Sequence, residues 1–262
     1  MDAPSTGGTS GSPPRSAAWT RAEAANPVLV ADLTLELDRR VHDEDSLLDL
    51  MNRASSEAVR ILTPTSSAGV TAQFAGDPFT AAYTDGAALL IDEGQYDQND
   101  GPCLRAMRTG ESVVMSLAAV SDAWPEVAEA ARSVGVASFR AEPLHVAQRS
   151  VGSLNLYSDS AAGLGHVDAD LLTVVTDFLG QGLTDFSVIY PGEVQAYLLR
   201  AVVYRRDLIS QAVGVLMAQH ATDPAQARLM LADRAEQAGT DLAAAAQQVV
   251  DDRAGRERPA GA

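Results

Sequence analysis

Apolar residues recur with helical spacing at both ends of a long middle segment and in short strand-like runs between them. The set from Leu47 to Leu62 follows i, i+3, i+4 spacing, and a second set within 168–188 repeats every 3.6 residues, so both predict helices. A shorter helix is predicted at 127–134. Runs rich in Val, Thr, Tyr and Phe predict strands at 70–74, 80–84, 112–115, 136–140 and 151–157. The order predicts an α+β fold: an antiparallel sheet of five or six strands flanked by helices.

The C-terminal segment is patterned for helices only. The first helix is predicted at about 194–220, where the residues Leu198, Val202, Arg205, Ile209, Ala212 and Leu216 form a stripe with alternating spacings of four and three. Asp223 and Pro224 predict the start of a second helix, and Gly239 its end. Thr240 is placed to cap a third helix with inward residues Leu242, Ala245, Ala246, Val249 and Val250. The stripe predicts a homodimer, and the pattern predicts an all-α three-helix domain.

Changes in composition suggest where the chain divides. Residues 1–26 are rich in Gly, Ser, Thr and Pro and are expected to form a disordered tail. The breaker cluster at 190–192 predicts a boundary between a domain at 27–190 and a helical domain at 193–253. The remaining residues, 254–262, are expected to fray.

Charge and residue usage exclude several classes of chemistry. The net charge is −16, and all 19 basic residues are arginine. Without lysine the chain has no Walker A phosphate loop, Schiff base or pyridoxal phosphate site. The single cysteine, Cys103, excludes an internal disulfide. The sequence has neither an 18-residue apolar run nor a signal-peptide pattern, which predicts a cytoplasmic protein without membrane attachment.

Catalytic and metal motifs are missing from the sequence. It contains no HExxH, GxSxG or CxxC pattern, and its four histidines are scattered. We therefore expect no enzyme activity, no metal and no cofactor, while a small-molecule ligand stays open and unidentified. Cys103 follows a Gly-Pro pair at a predicted helix start, where it is either a redox-sensitive thiol or a small buried residue. The buried interpretation is favoured.

Four motifs in order resemble the GAF domain of the GAF–ANTAR type. They are QYDQNDGPCLRA at 95–106, WP at 124–125, EPL at 142–144 and VGSLNLY at 151–157. Further along, RDLISQAVGVLM at 206–217 resembles the first helix of an ANTAR domain. The resemblance implies a GAF-like sensor at 27–190 with a pocket between sheet and helices, and an ANTAR-like RNA-binding output at 193–253. Family members bind paired RNA hairpins and suppress transcription termination.

The resemblance directs attention to the arginines of the output domain. The candidate RNA-binding residues are Arg200, Arg205, Arg206, Arg228 and Arg234. Val213, Asp241 and Ala243 stand where the family usually offers positive charge, so few phosphate contacts and weak binding are expected. The sequence therefore predicts a transcription antitermination regulator that senses a signal and binds RNA. The alternative is a protein-interaction or dimerisation module that has lost RNA binding.

Overall fold

A computed structural model of the chain describes residues 16–73, 78–160, 163–190, 194–240 and 242–257. The chain divides into two compact units, residues 1–199 and residues 200–262. The described residues of unit 1 contain the sheet, eight complete α-helices and a short 3-10 helix at Leu164–His166, and a helical unit 2 follows. The predicted α+β class is confirmed.

Five antiparallel strands form one sheet in the described part of unit 1. They are β1 (Ser67–Ala72), β2 (Phe79–Tyr83), β3 (Val113–Ser116), β4 (Ser138–Val146) and β5 (Arg149–Ser158), arranged in the order β2-β1-β5-β4-β3. The central strand β5 pairs with both β1 and β4, with Thr71 opposite Ser153 and Ala141 opposite Asn155. Each of the five strands overlaps a predicted one, although β1 begins three residues earlier than predicted and β4 ends six residues later. Residues 74–77, which include part of the expected β1–β2 turn, lie outside the described residues.

Two groups of helices cover the sheet. The first group is α1 (Ala17–Ala25), α2 (Pro27–Leu37), α3 (Glu44–Ile61) and α8 (Ala169–Ile189). The second group is α4 (Gly86–Asp97), α5 (Pro102–Thr109), α6 (Leu117–Ala123) and α7 (Pro125–Ser133). Alternation along β5 turns Leu154 and Leu156 toward one face, and Ser153, Asn155 and Tyr157 toward the other. Helix α4 packs on the face that carries the polar residues.

The periodicity of apolar residues does not predict helices α4, α5 and α6. Helix α4 buries Asp92 and Gln95 beside Ala88 and Ile91, and exposes part of Leu90. Because polar residues occupy the inner face, the apolar spacing is interrupted. Cys103 does lie at a helix start, as expected, since α5 begins at Pro102 after Gly101. It is 1% exposed, which agrees with the buried interpretation.

The prediction of a disordered tail at 1–26 is wrong for residues 17–25. These residues form α1, because Trp19 is 1% exposed and packs 5.1 Å from the Phe178 ring of α8. At the helix start, Ser16 Oγ donates to Asp177 Oδ2 at 3.2 Å. Arg21 makes two hydrogen bonds to Asp170, at 2.7 and 3.0 Å. Residues 1–15 lie outside the described residues.

Unit 2 contains most of α9 (Val194–His220), whose first six residues belong to unit 1, together with α10 (Pro224–Ala238) and α11 (Leu242–Glu257). Asp223 Oδ1 caps α10 by accepting from Gln226 N at 2.9 Å, and Gly239 ends the helix at φ 63°, as predicted. Tyr204 Oη donates to Gln247 Oε1 at 3.2 Å and joins α9 to α11. The core consists of Leu208, Ala212, Val213, Val215, Leu216, Ala227, Leu231, Ala235, Ala245, Ala246 and Val249.

Several expectations for unit 2 need correction. Ala212 and Leu216 of the predicted dimer stripe are buried in the unit's own core, whereas Arg205 is exposed. The side chains of Leu198 and Val202 lie outside the described side chains. Leu242 is 37% exposed and does not point fully inward. Helix α11 continues to Glu257, beyond the expected frayed start at 254, and 258–262 lie outside the described residues.

The buried Trp19 gives a test of whether α1 belongs to the folded core. Replacing a buried tryptophan by alanine removes large apolar contacts, so Trp19→Ala is expected to lower the free energy of unfolding by about 3–5 kcal/mol. Chemical denaturation of the full chain measures this loss. Thr20→Ala, at an exposed position of the same helix, is the control with little expected effect. Equal stability of Trp19→Ala and the native chain would show that α1 is not part of the core.

Candidate functional site

A cluster of polar side chains lies inside unit 1, between the sheet and helices α4 and α5. We call it the Asp92 network. It consists of Asp92, Gln95 and Tyr96 from α4, Cys103 from α5, Thr71 from β1, Thr80 from β2, and Ser153, Asn155 and Tyr157 from β5. All except the half-buried Tyr96 are buried. Sequence reasoning did not find this cluster.

Asp92 is the centre of the network and is 0% exposed. Its Oδ1 accepts hydrogen bonds from Asn155 Nδ2 at 2.9 Å and from the Tyr157 hydroxyl. Its Oδ2 accepts from Thr80 Oγ1 at 3.2 Å. Three donors from β2 and β5 therefore hold a carboxyl group that α4 supplies.

The hydroxyl groups around Asp92 are joined to each other. Tyr96 Oη lies 2.9 Å from Thr71 Oγ1 and 2.8 Å from Thr80 Oγ1. Asn155 Nδ2 also donates to Thr71 Oγ1 at 2.8 Å, and its Oδ1 accepts from Ser153 Oγ at 2.8 Å. Since buried polar groups without partners cost free energy, these bonds are what allow the cluster to be buried.

Gln95 connects the network to the start of α5. Its Oε1 accepts from Cys103 N at 2.8 Å, and its Nε2 donates to Tyr157 Oη at 3.3 Å. A Cβ atom at Gly101 would lie 2.5 Å from Gln95 Cγ, which no normal packing allows. Glycine is therefore required before Pro102 and Cys103 in the GPC sequence.

Close approach also fixes a second glycine beside the carboxyl group. A Cβ atom at Gly69 of β1 would lie 2.7 Å from Asp92 Oδ2. The absence of a side chain at this position lets α4 approach the sheet closely enough for Asp92 to reach its donors. The close packing of α4 on Gly69 therefore allows the hydrogen bonds of Asp92 to form.

Burial controls the protonation of the network. It raises the pKa of Asp92 to about 7, although hydrogen bonds from Tyr157, Thr80 and Asn155 act in the opposite direction. In the part of the chain that the structure describes, no arginine or histidine forms an ion pair with Asp92. Near neutral pH the carboxyl group therefore divides between its neutral and charged forms.

The thiol and phenol groups of the network are held in their neutral forms. Burial, followed by the nearby Asp92 charge, raises the pKa of Cys103, and the same two causes raise the pKa of Tyr96 and Tyr157. A thiol with a raised pKa is a poor nucleophile. The geometry thus favours proton binding and hydrogen bonding over covalent chemistry.

No metal centre accompanies the network within the described ranges. There, no group of three or more His, Cys, Asp and Glu residues is placed to hold a metal ion. The described helices also include none that is long and apolar enough to cross a membrane.

The candidate RNA-binding arginines are distributed over two helices of unit 2. Arg200, Arg205 and Arg206 lie on α9, and Arg228 and Arg234 lie on α10. Arg200, Arg205 and Arg228 are exposed, whereas Arg206 and Arg234 are half-buried. On a helix, residues six apart point in different directions, so Arg228 and Arg234 do not share one face of α10.

Three positions of this chain lack the positive charge that the family usually has there, and their environments differ. Val213 is 5% exposed and packs in the core of unit 2. Ala243 is half-buried on α11, and Asp241 lies outside the described residues. Val213 therefore contributes packing where the family resemblance leads one to expect a phosphate contact.

Comparison with protein families matches both units. A model of the GAF domain matches residues 44–184, which is more than half of the chain. A model of the ANTAR domain matches residues 198–250. A search of curated proteins finds no match.

Solved structures similar to this chain include an enzyme and GAF domains. A type II free methionine-R-sulfoxide reductase from Thermoplasma acidophilum is 15% identical, with 55% of this chain and 95% of that chain covered and a TM-score of 0.39. The Nlh2 GAF domain of A. aeolicus in an inactive state is 13% identical, with coverages of 62% and 98% and a TM-score of 0.38. The GAF domain of an Acinetobacter phosphoenolpyruvate-protein phosphotransferase is 12% identical, with coverages of 63% and 96% and a TM-score of 0.43.

The protonation of Asp92 predicts how stability depends on pH. Between the pKa of about 4 in the unfolded chain and about 7 in the folded chain, the folded state holds a proton that the unfolded state has lost. Stability is therefore expected to fall as pH rises from 4 to 7, by on the order of 4 kcal/mol in total, and to level off above that range. Denaturation of the full chain at a series of pH values measures this slope.

Asp92→Asn is the variant that isolates this effect. It keeps the shape of the side chain but cannot ionise, so the fall in stability with pH should become much shallower. The control is Asp97→Asn, which removes an exposed carboxyl group from the same helix and should keep the native slope. A native chain that gains stability over this range, or an Asp92→Asn variant with an unaltered slope, would contradict the assignment.

Proposed function

The chain belongs to the GAF domain family and continues into an ANTAR domain, and from this premise we propose that it is a signal-responsive regulator whose output binds RNA. The finer proposal is that it binds hairpins in nascent transcripts and promotes antitermination. The observation that carries it is the order of the two domains in one chain, residues 44–184 and then 198–250.

The sensor unit offers the Asp92 network as the element that a signal would change. A buried polar network whose groups all satisfy one another favours one packed arrangement, and a signal acts by stabilising another. Helix α8 ends at Ile189 and α9 begins at Val194, so only four residues separate the last sensor helix from the first output helix. A change in sensor packing therefore has a short covalent route to α9.

The output unit offers arginine as its only basic side chain apart from His220. A guanidinium group can donate two parallel hydrogen bonds to one phosphate, which suits contact with a hairpin backbone. Arg206 on α9 is the first candidate, with Arg200, Arg205, Arg228 and Arg234 as further contacts. From residue 193 onward the sequence has eight arginines and nine acidic residues, so its net charge does not favour RNA. We therefore expect a modest affinity for RNA.

We further propose that the protein is non-catalytic, cytoplasmic and homodimeric. The raised pKa of the buried Cys103 thiol argues against cysteine chemistry. Two copies would place two output domains against a pair of hairpins, which fits the expected two-hairpin target. The same chain with a dimerising surface but no RNA binding is the competing possibility.

Arg206 tests the phosphate contact directly. Arg206→Ala is expected to weaken binding of the full chain to a paired-hairpin RNA, and to reduce the slope of log K against log salt by about one, since each phosphate contact contributes roughly 0.7–0.9. Titrations at several salt concentrations measure both quantities. The control is Arg132→Ala, which removes an exposed arginine from α7 of the sensor. If no hairpin RNA binds to the native chain even at low salt, the protein-interaction alternative replaces this proposal.

Ala243 tests whether the lost charge limits affinity. Ala243→Arg adds a positive charge at a half-buried position near the start of α11 and is expected to tighten hairpin binding several-fold at low salt. Ala243→Gln is the matched control, because it lengthens the side chain without adding charge. Equal affinities of the two variants would show that this position does not face the RNA backbone.

A further inference from the structure

Helix α2 is apolar on two sides. Val30, Leu33 and Leu37 are at most 2% exposed and pack inside unit 1. On the other side, Val28 is 75% exposed and Leu35 is 74% exposed. The polar residues Asp32, Thr34 and Glu36 lie between these two sides, so α2 is an amphipathic surface helix. Its outer face carries two large apolar side chains that unit 1 leaves exposed.

The exposed apolar residues form a regular stripe. Val28, Ala31 and Leu35 are spaced by three and four residues, which places them along one line of the helix. We call this line the α2 stripe. Its central residue, the exposed Ala31, is small, so a second helix can approach closely there. Because the larger residues lie at the two ends, the stripe is self-complementary when two copies run in opposite directions.

Balanced charges line one side of the stripe. Two adjoining clefts of about 320 and 330 Å³ run along α2 and α3, and their linings include Leu35, three acids and two arginines, namely Asp32, Glu36, Glu57, Arg53 and Arg60. Arg53 pairs with Glu36 at 3.0 Å, and Arg60 pairs with Glu57. The two clefts together therefore carry both positive and negative side chains beside the exposed Leu35.

This balance matters because the rest of the domain is strongly acidic. Residues 27–190 carry nine arginines against 24 acidic residues. Two such domains repel each other, and the repulsion is smallest where acids and arginines are nearly equal in number. The cleft has three acids and two arginines, so this face can meet an identical face with little electrostatic cost.

We propose that the α2 stripe docks a second copy of this chain, with the two α2 helices antiparallel and the two-fold axis near Ala31. Val28 of one protomer then packs against Leu35 of its partner, and each stripe covers the other. This inference deepens the homodimer of the proposed function by naming its interface. The segment 1–15 is a poor alternative occupant, because Met1 is its only large apolar residue.

Sedimentation of the full chain tests the interface. The native protein is expected to be dimeric at micromolar concentration, and Val28→Glu and Leu35→Glu are each expected to weaken association at least tenfold. Both positions are exposed, so neither change disturbs the core. The control is Leu229→Glu on α10, which alters a leucine that is 60% exposed in unit 2 and should keep the native association.

Cross-linking tests the position of the two-fold axis. In a Cys103→Ser background, Ala31→Cys supplies one exposed thiol, and two such thiols near the axis should form a disulfide between protomers under mild oxidation. Asp49→Cys, at an exposed position of α3, is the control and should not cross-link efficiently. Disulfide-linked dimers are read on a non-reducing gel.

The outcomes separate this inference from the proposed function. A native chain that stays monomeric at tens of micromolar overturns both the interface and the homodimer, while RNA binding is tested independently. A dimer that persists in both glutamate variants and does not cross-link through position 31 overturns the α2 interface alone. That result would place the dimer interface elsewhere, with the N-terminal half of α9 as the next candidate.

Discussion

The burial of one carboxyl group without a cation constrains the sensor domain more than any other contact. Asp92 lies between α4 and the sheet at 0% exposure, and among the described residues hydroxyl and amide groups stabilise its charge without an ion pair. A charged group in such surroundings is costly unless it takes a proton or gains donors, and here both occur. Gly69 and Gly101 leave the space that this packing needs. The hydrogen bonds of Asp92 tie α4 to β2 and β5, and those of Gln95 tie the same helix to the start of α5.

The same constraint explains what sequence patterns could and could not reveal. The long helix α8, the caps of α10 and all five strands carry ordinary signals of periodicity, turn residues and capping, and they lie where these signals place them. Helix α4 was missed because Asp92 and Gln95 occupy its inner face. Periodicity assumes that inner positions are apolar, so a polar network of this kind is invisible to it. Tyr96, Cys103 and Tyr157 lie in motifs that indicated the family, but their contact with Asp92 depends on the tertiary fold.

Two further differences between the sequence patterns and the structure have simple physical causes. The N-terminal segment is rich in residues typical of disorder, yet a single tryptophan buried against Phe178 is associated with an ordered helix at 17–25. The stripe of α9 predicts a dimer surface, but its residues Ala212 and Leu216 are buried in the core of their own unit. The homodimer itself stays a prediction. Spacing identifies an apolar face and does not identify its partner. By contrast, Val28 and Leu35 of α2 are apolar and left uncovered.

The central claim is that the state of the sensor controls an RNA-binding output. The most direct measurement is the affinity of the full chain for a paired-hairpin RNA across pH 6–8, with the native protein and Asp92→Asn compared at each pH. If the output responds to the sensor, the ratio of the two affinities will change across this range, because Asp92 ionises there and the asparagine of the variant does not. Equal affinities at every pH, in chains shown to be folded, would contradict the account.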